Sequence, residues 1–217
     1  MIGTPNFAKI FVLMKRVLIL LLAILVIVVV YWLVVKKDRN TTENVKPAPL
    51  AVSNQTGAFN VAFGNLLNTY YELRDGFVDW DTSKVNQTAS RIKLLADSLP
   101  VQELKADTTI IKMAGDDAKS ISGEALGIIG ESDIAEKRKS FYTMSEALYE
   151  LVRTVRYKGE VVYHQHCPMA FGENEEAFWL SNSNKVVNPY LGNKHPKYRG
   201  TMVGCGDVTD SLDFRNK

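Results

Sequence analysis

The sequence lacks the motifs that identify the common classes of enzyme. It has no glycine-rich loop followed by Lys and Ser or Thr, the pattern that cradles a nucleotide phosphate, and no nucleophile-elbow pentapeptide. His166 and Cys167 are adjacent, and adjacent side chains on a strand point to opposite faces, which disfavours a catalytic Cys–His pair. With no general acid–base pair or activated nucleophile in view, we expect a protein that is not an enzyme.

The chain also lacks an excess of charge of one sign. Its 26 Lys and Arg residues oppose 24 Asp and Glu residues, which leaves a formal net charge of +2 on 217 residues. This balance argues against a dedicated nucleic-acid-binding surface. We therefore expect no nucleic acid among the partners of this protein.

One long apolar run follows a short N-terminal segment, residues 1–16. Residues 17–35 contain no charged side chain, and at the helical rise they span roughly 28 Å, close to the thickness of a bilayer's hydrocarbon core. A cleaved signal peptide is the alternative, but its apolar stretch is usually about 7 to 15 residues long and ends in small residues. The sequence predicts an uncleaved, single-pass membrane anchor at 17–35.

The charges around this run do not indicate its orientation, because basic residues lie on both sides of it. Those before it are Lys9, Lys15 and Arg16, and those after it are Lys36, Lys37 and Arg39.

Beyond the anchor, residues 36–57 have the composition of a linker, and residues 58–217 suffice for one globular domain. Apolar residues recur at three- and four-residue spacing along residues 58–157 and predict four amphipathic helices. The first stripe consists of Phe59, Phe63, Leu66, Leu67, Tyr70, Leu73 and Phe77, and the other stripes begin at Val85, Leu104 and Ile134. Short connections favour an up-and-down four-helix bundle.

The remaining residues, 158–217, differ in composition, since they hold both cysteines and all three histidines. Their only strand candidates are residues 161–163 and 177–180. The predicted fold is therefore mainly α: a transmembrane helix, a four-helix bundle, and a small C-terminal tail of irregular structure and short strands.

Two sulfur-bearing stretches in this tail form the candidate site. Cys167 and Met169 would share one face of an extended segment, with His164 and His166 on the other. Thiolate and thioether sulfurs suit copper(I) and related soft ions, so Cys205 and Met202 could complete a site with Cys167 and Met169. His166 would then be a peripheral ligand, or part of a separate weak site.

A disulfide is an equally strong interpretation of the two cysteines. In a non-cytosolic domain such a pair commonly oxidises. A bond between Cys167 and Cys205 would close a loop of about forty residues and stabilise the domain by ~3 to 4 kcal/mol. The residues alone leave three interpretations open: the metal site, the disulfide and a free buried thiol.

The tail resembles a family. Cys167-Pro168-Met169-Ala170, Phe178-Trp179-Leu180-Ser181, Asn188-Pro189-Tyr190 and Cys205-Gly206 are similar to the signature of a bacterial domain of unknown function. That domain occurs in membrane-anchored or secreted proteins and is fused to periplasmic adaptor subunits of heavy-metal efflux systems.

The resemblance implies a location and a ligand. It implies a single-pass protein of the inner membrane whose globular domain lies in the periplasm. It further implies that this domain binds copper or another soft transition metal through Cys167, Met169, Met202 and Cys205, with heavy-metal efflux components as partners.

Overall fold

The structure, a computed structural model, describes residues 55–215 continuously, together with five separate residues, Leu22, Leu25, Val28, Val29 and Tyr31. Apart from those five, the predicted anchor at 17–35 lies outside the described residues, as does most of the linker at 36–57. Among the residues described, no helix is both long and apolar enough to cross a membrane. The chain divides into the units Met1–Pro49 and Leu50–Lys217, and the second unit contains all the elements below.

Four helices occupy the first part of this unit, as the apolar stripes predict. They are α1 (Gly57–Val78), α2 (Thr82–Asp97), α3 (Thr108–Gly130) and α4 (Ile134–Val155). Each helix packs against the next one along the chain. Every member of the first predicted stripe is fully buried, so the stripe is the core face of α1.

Side chains that precede the helices satisfy their first free N–H groups. Asp81 accepts a hydrogen bond from the backbone N–H of Lys84 and begins α2. Asp133 accepts from the N–H groups of Ala135 and Glu136 and begins α4. Both aspartates precede their helices in the way that N-cap preferences predict.

The third helix begins later than its apolar stripe. Leu104 is buried but lies between a 3₁₀ turn, Val101–Glu103, and α3. Asp107 caps α3 by accepting a hydrogen bond from the N–H of Thr109. The stripe therefore includes one core residue that the preceding turn, rather than the helix, places in the core.

The tail contains a three-stranded sheet and a loop without regular structure, so the predicted short strands and irregular structure are confirmed in part. The sheet comprises β1 (Val162–Gly172), β2 (Glu175–Ser181) and β3 (Asp207–Leu212), antiparallel in the order β2-β1-β3. The two predicted strands fall within β2 and at the start of β1, but β3 was not predicted. The sequence did not predict the full length of β1 because polar residues interrupt its apolar pattern. These polar residues form contacts with residues that are distant in sequence.

The two faces of the sheet contact different parts of the protein. His164 and His166 share a face with Phe178, which is opposite His166 in the register. This face packs on α4, where the ring of Tyr149 stacks on His164 at 4.1 Å between centroids. On the other face, Gln165 donates hydrogen bonds to carbonyl groups of residues 182–206, here called the connecting loop.

Candidate thiol site

The two cysteines are neighbours in the fold. Cys167 lies on β1, and Cys205 lies just before β3, whose residue Asp207 pairs with His166. The two side chains interact through a hydrogen bond, and both are free thiols in the structure. Pairing of β1 with β3 therefore brings together the two sulfur-bearing stretches that the sequence analysis selected.

A glycine permits this approach. Gly206 has a φ of +129°, and a Cβ atom there would lie 2.2 Å from the carbonyl oxygen of His166. No L side chain fits at that distance, so Gly206 lets the chain pass close to β1 immediately after Cys205. A substitution at Gly206 would separate the two cysteines.

The two thiols differ in exposure. Cys167 is completely buried, whereas Cys205 is partly exposed. Burial raises the pKa of the Cys167 thiol, and hydrogen bonds from the Met169 backbone and the Asn188 side chain act in the opposite direction. The pair therefore has one solvent-accessible sulfur and one sheltered sulfur.

Asn188 holds the connecting loop at this site. It is fully buried, and its amide nitrogen donates to the carbonyl oxygen of Cys205 at 2.8 Å. Its side-chain oxygen accepts from the N–H groups of Tyr190 and Leu191. Sequence reasoning did not assign this role to Asn188, although Asn before Pro is a turn signal that could have indicated it.

The two methionines lie on the same segments as the cysteines. Met169 and Met202 are both partly buried and pack against the hydrophobic core. The carbonyl oxygen of Met202 accepts a hydrogen bond from the N–H of Cys205 at 3.0 Å, so Met202 and Cys205 share a turn. The two thioethers therefore lie two and three residues along the chain from Cys167 and Cys205, respectively.

His166 lies between two carboxylates. Its ring nitrogens lie 3.0 Å from carboxylate oxygens of Asp207 and Glu176. Both ring nitrogens of His166 therefore already have a carboxylate partner in this arrangement. His166, predicted as a peripheral ligand, serves here to join β1 to β2 and β3.

His164 has a similar structural role that the sequence did not reveal. Its Nε2 lies 3.0 Å from Glu146 on α4, and its Nδ1 lies 3.0 Å from the hydroxyl of Thr209. That hydroxyl donates its proton to the carbonyl oxygen of His164, so Nδ1 must donate to the hydroxyl. Through these partners His164 joins the sheet to α4.

The donor set in the described part of the chain favours soft ions. No group of three or more His, Cys, Asp or Glu side chains there is arranged to hold a metal ion. A metal at Cys167 and Cys205 would depend on the two thiolates and on thioethers, which copper(I) accepts readily and hard cations do not. The residues present therefore fit a soft metal ion.

Comparison with known families adds information about the helices. Residues 66–159 match a family described as "Protein of unknown function (DUF3347)". No curated protein and no solved structure matches this chain. Residues 66–159 are therefore similar to a domain of unknown function.

This match begins within α1 and ends before β1, so the sheet and both cysteines lie beyond it. The link between the sulfur-bearing tail and metal efflux rests on the resemblance alone.

Proposed function

We propose that this protein is a membrane-anchored, soft-metal-binding module of the bacterial cell envelope. Copper(I) would bind between the sulfurs of Cys167 and Cys205. The observation that carries the proposal is the contact between these two thiols, one buried and one partly exposed. In this proposal residues 17–35 anchor the chain in the inner membrane, and the globular domain lies in the periplasm.

The geometry suits binding and transfer of an ion. Thiolates are preferred ligands of copper(I), and binding would release the thiol protons. An ion could enter or leave at Cys205, which solvent reaches, while Cys167 holds it against the core. Met169 or Met202 would supply a third, weaker sulfur ligand. Such a module would buffer the ion or pass it to components of a heavy-metal efflux system.

Titration of the reduced full-length protein with copper(I), in competition with a coloured copper(I) chelator, tests the proposal. We expect about one ion per chain, and a loss of binding in both Cys167→Ser and Cys205→Ser, because each removes one of two thiolates. Unchanged binding in Cys167→Ser would contradict the proposed site.

The thioethers need a matched control. Met169→Leu and Met202→Leu preserve volume and remove a sulfur. Copper(I) binding should weaken in whichever of these two variants has lost the third sulfur ligand. Met113→Leu makes the same change at an exposed position of α3 and should have no effect.

A second function is supported by the same contact. If Cys167 and Cys205 form a disulfide, the bond would hold the connecting loop on the sheet of a structural or interaction module. Alkylation of native protein followed by mass analysis, with and without reductant, distinguishes the two functions. A fully oxidised pair that takes up no metal would favour the structural module.

The proposed location has its own test. A thiol reagent that cannot cross the inner membrane should label Cys205 in cells with a permeabilised outer membrane. Labelling only after lysis would place the domain in the cytoplasm instead.

A further inference from the structure

A cavity of about 430 Å³ lies where the start of α4 meets the connecting loop. Its lining includes Trp80, Arg138, Phe171, His195 and Tyr198. Its volume falls within the range of small-molecule sites, ~300 to 1,000 Å³. Nothing in the proposed metal chemistry uses Arg138 or His195.

Arg138 is a buried cation whose hydrogen-bond acceptors are all uncharged. It is 3% exposed, and it donates to the carbonyl oxygens of Pro189 at 3.0 Å, Phe77 at 3.1 Å and Ile134 at 3.5 Å. A guanidinium has five N–H groups, so two have no such acceptor. Burial lowers the pKa of Arg138 to about 10. Asp133 is near enough to act in the opposite direction on this pKa, but no carboxylate forms an ion pair with Arg138 within the described residues. Burying a charge without such a pair is costly, and an anion in the cavity would offset that cost.

Aromatic rings surround this charge. The guanidinium carbon lies 4.1 Å from the centroid of the Trp80 ring, and the ring of His195 meets Trp80 edge-on at 5.5 Å. The ring of Tyr198 lies 4.8 Å from His195. This cation–π contact offsets part of the free-energy cost of burying the charge of Arg138. The rings also give the cavity flat apolar walls.

His195 presents a second donor. Its Nδ1 accepts hydrogen bonds from the backbone N–H groups of Lys197 and Tyr198. An imidazole nitrogen that accepts carries no proton, so the ring proton of His195 is on Nε2. Burial and the charges of Arg138 and Lys197 lower the pKa of His195, in keeping with a positive potential around it.

The acidic residues of the lining do not neutralise this potential. Glu136 is paired with Lys139 at 2.8 Å. Glu175 is exposed and lies in the turn region at the start of β2. Neither carboxylate forms an ion pair with Arg138 within the described residues.

We propose that this cavity binds a small organic carboxylate with a flat apolar body. The carboxylate pairs with Arg138 and accepts a hydrogen bond from Nε2 of His195, and the body lies against the rings of Trp80, Tyr198 and Phe171. An arginine fork matches a carboxylate, and the aromatic walls match an aromatic or unsaturated acid.

Calorimetric titration of the full-length protein with benzoate tests the proposal. Benzamide has the same shape without the charge and should bind at least about tenfold more weakly. Inorganic phosphate has the charge without the apolar body and should also bind more weakly. Absence of saturable benzoate binding, or equal binding of benzamide, would overturn the proposal, and preference for phosphate would overturn the assigned ligand class.

Variants locate the binding. Arg138→Gln should abolish benzoate binding, but it also disturbs three carbonyl partners, so folding must be checked by circular dichroism. His195→Gln and Lys197→Gln change the connecting loop rather than the helices and should weaken binding severalfold. Lys194→Gln changes an exposed charge on the same loop outside the cavity lining, and binding should be unchanged. Wild-type affinity in both Arg138→Gln and His195→Gln would show that benzoate binds elsewhere.

Discussion

The helices and the sheet are held together by different kinds of contact. In α1 to α4 the buried residues are mostly apolar and recur at helical spacing, and the capping residues lie within three positions of the groups they satisfy. The sheet also has buried apolar residues, but it adds polar pairs between distant residues, such as His164 with Glu146 and Tyr149 with Asp210. The first kind depends on local sequence, whereas the second depends on register.

This contrast has a functional counterpart. The family match covers the helices, and the thiol pair lies beyond it, where the strands and the connecting loop meet. A regular helical scaffold thus supports a tail in which single side chains set the geometry of the site. The following predictions test how far the two regions depend on each other.

The largest effect is expected from truncation of Trp179, a fully buried residue of β2 that contacts Tyr190 in the connecting loop. Trp179→Ala should lower the free energy of unfolding by about 3 to 5 kcal/mol because it leaves a cavity. Leu148→Ala leaves a smaller cavity, in α4, and should lower the free energy of unfolding by about 2 to 5 kcal/mol. Urea unfolding followed by far- and near-ultraviolet circular dichroism measures both.

Coincident transitions in both probes would show that helices and sheet unfold as one unit. Separate transitions in Trp179→Ala, with the helical signal kept, would show instead that the regions are independent. Leu94→Ala removes a side chain that is 67% exposed and serves as the control.

A smaller effect is expected from Tyr70, which joins the two regions. Its hydroxyl accepts from the N–H of Leu180 on β2 at 3.0 Å and lies 2.6 Å from the hydroxyl of Ser145 on α4. Tyr70→Phe leaves a buried N–H without an acceptor and should cost about 1 to 3 kcal/mol in urea unfolding. The control, Tyr142→Phe, removes a half-buried hydroxyl from α4 and should destabilise the protein less. Equal losses of stability in the two variants would contradict the proposed role of Tyr70 in joining the two regions.

The contacts within the helices should each contribute less. Asp133 caps α4 with two hydrogen bonds from backbone N–H groups, and Asp133→Ala should cost about 1 kcal/mol. Thermal unfolding of this variant and of Ser120→Ala, an exposed change within α3, gives the comparison. Equal melting temperatures would contradict the capping role.

The smallest effect is a pH-dependent gain in stability, expected when Asp117 is replaced. Burial, with the nearby charges of Glu150 and Asp116, raises the pKa of Asp117 to about 6 from an ordinary value of 3.8. The folded chain therefore binds the proton more tightly than the unfolded chain, and stability falls as pH rises from about 4 to 6. Asp117→Asn should be more stable than wild type at pH 7 and equally stable at pH 4.

Its neighbour Asp116 is a matched control because its pKa is shifted in the opposite direction. A hydrogen bond from Lys112 lowers the pKa of Asp116, so its charged form is favoured by folding. Asp116→Asn should therefore bring no gain at pH 7. A gain of the same size in both variants would mean that net charge, not the environment of Asp117, is responsible.

Much of the helical region could be predicted because its signals are local. The stripe of α1 and the caps Asp81 and Asp133 each follow from residues within a few turns. The sheet was less predictable, since polar residues such as Gln165 occupy buried strand positions and find partners on the connecting loop. Strand β3 has mostly exposed residues, so its sequence shows little apolar alternation.

The candidate site was predictable in kind but not in detail. The chemistry of Cys167 and Cys205 was visible in the residue types, because sulfur donors are rare and soft. The placement of His166 between two carboxylates was not visible, since Glu176 and Asp207 come from the two strands that flank β1. The same holds for the cavity at Arg138, whose lining comes from four separated segments of the chain.

By itself, the sequence determined the four helices and selected the sulfur residues, because helical periodicity and ligand chemistry are properties of short segments. Only the tertiary structure decided that Cys167 meets Cys205 and that both β1 histidines are held by carboxylates. It also decided that Arg138 lines a cavity with no ion-pair partner among the described residues. These outcomes depend on strand register and on the path of the connecting loop, and the free energy that sets them comes from contacts between distant residues.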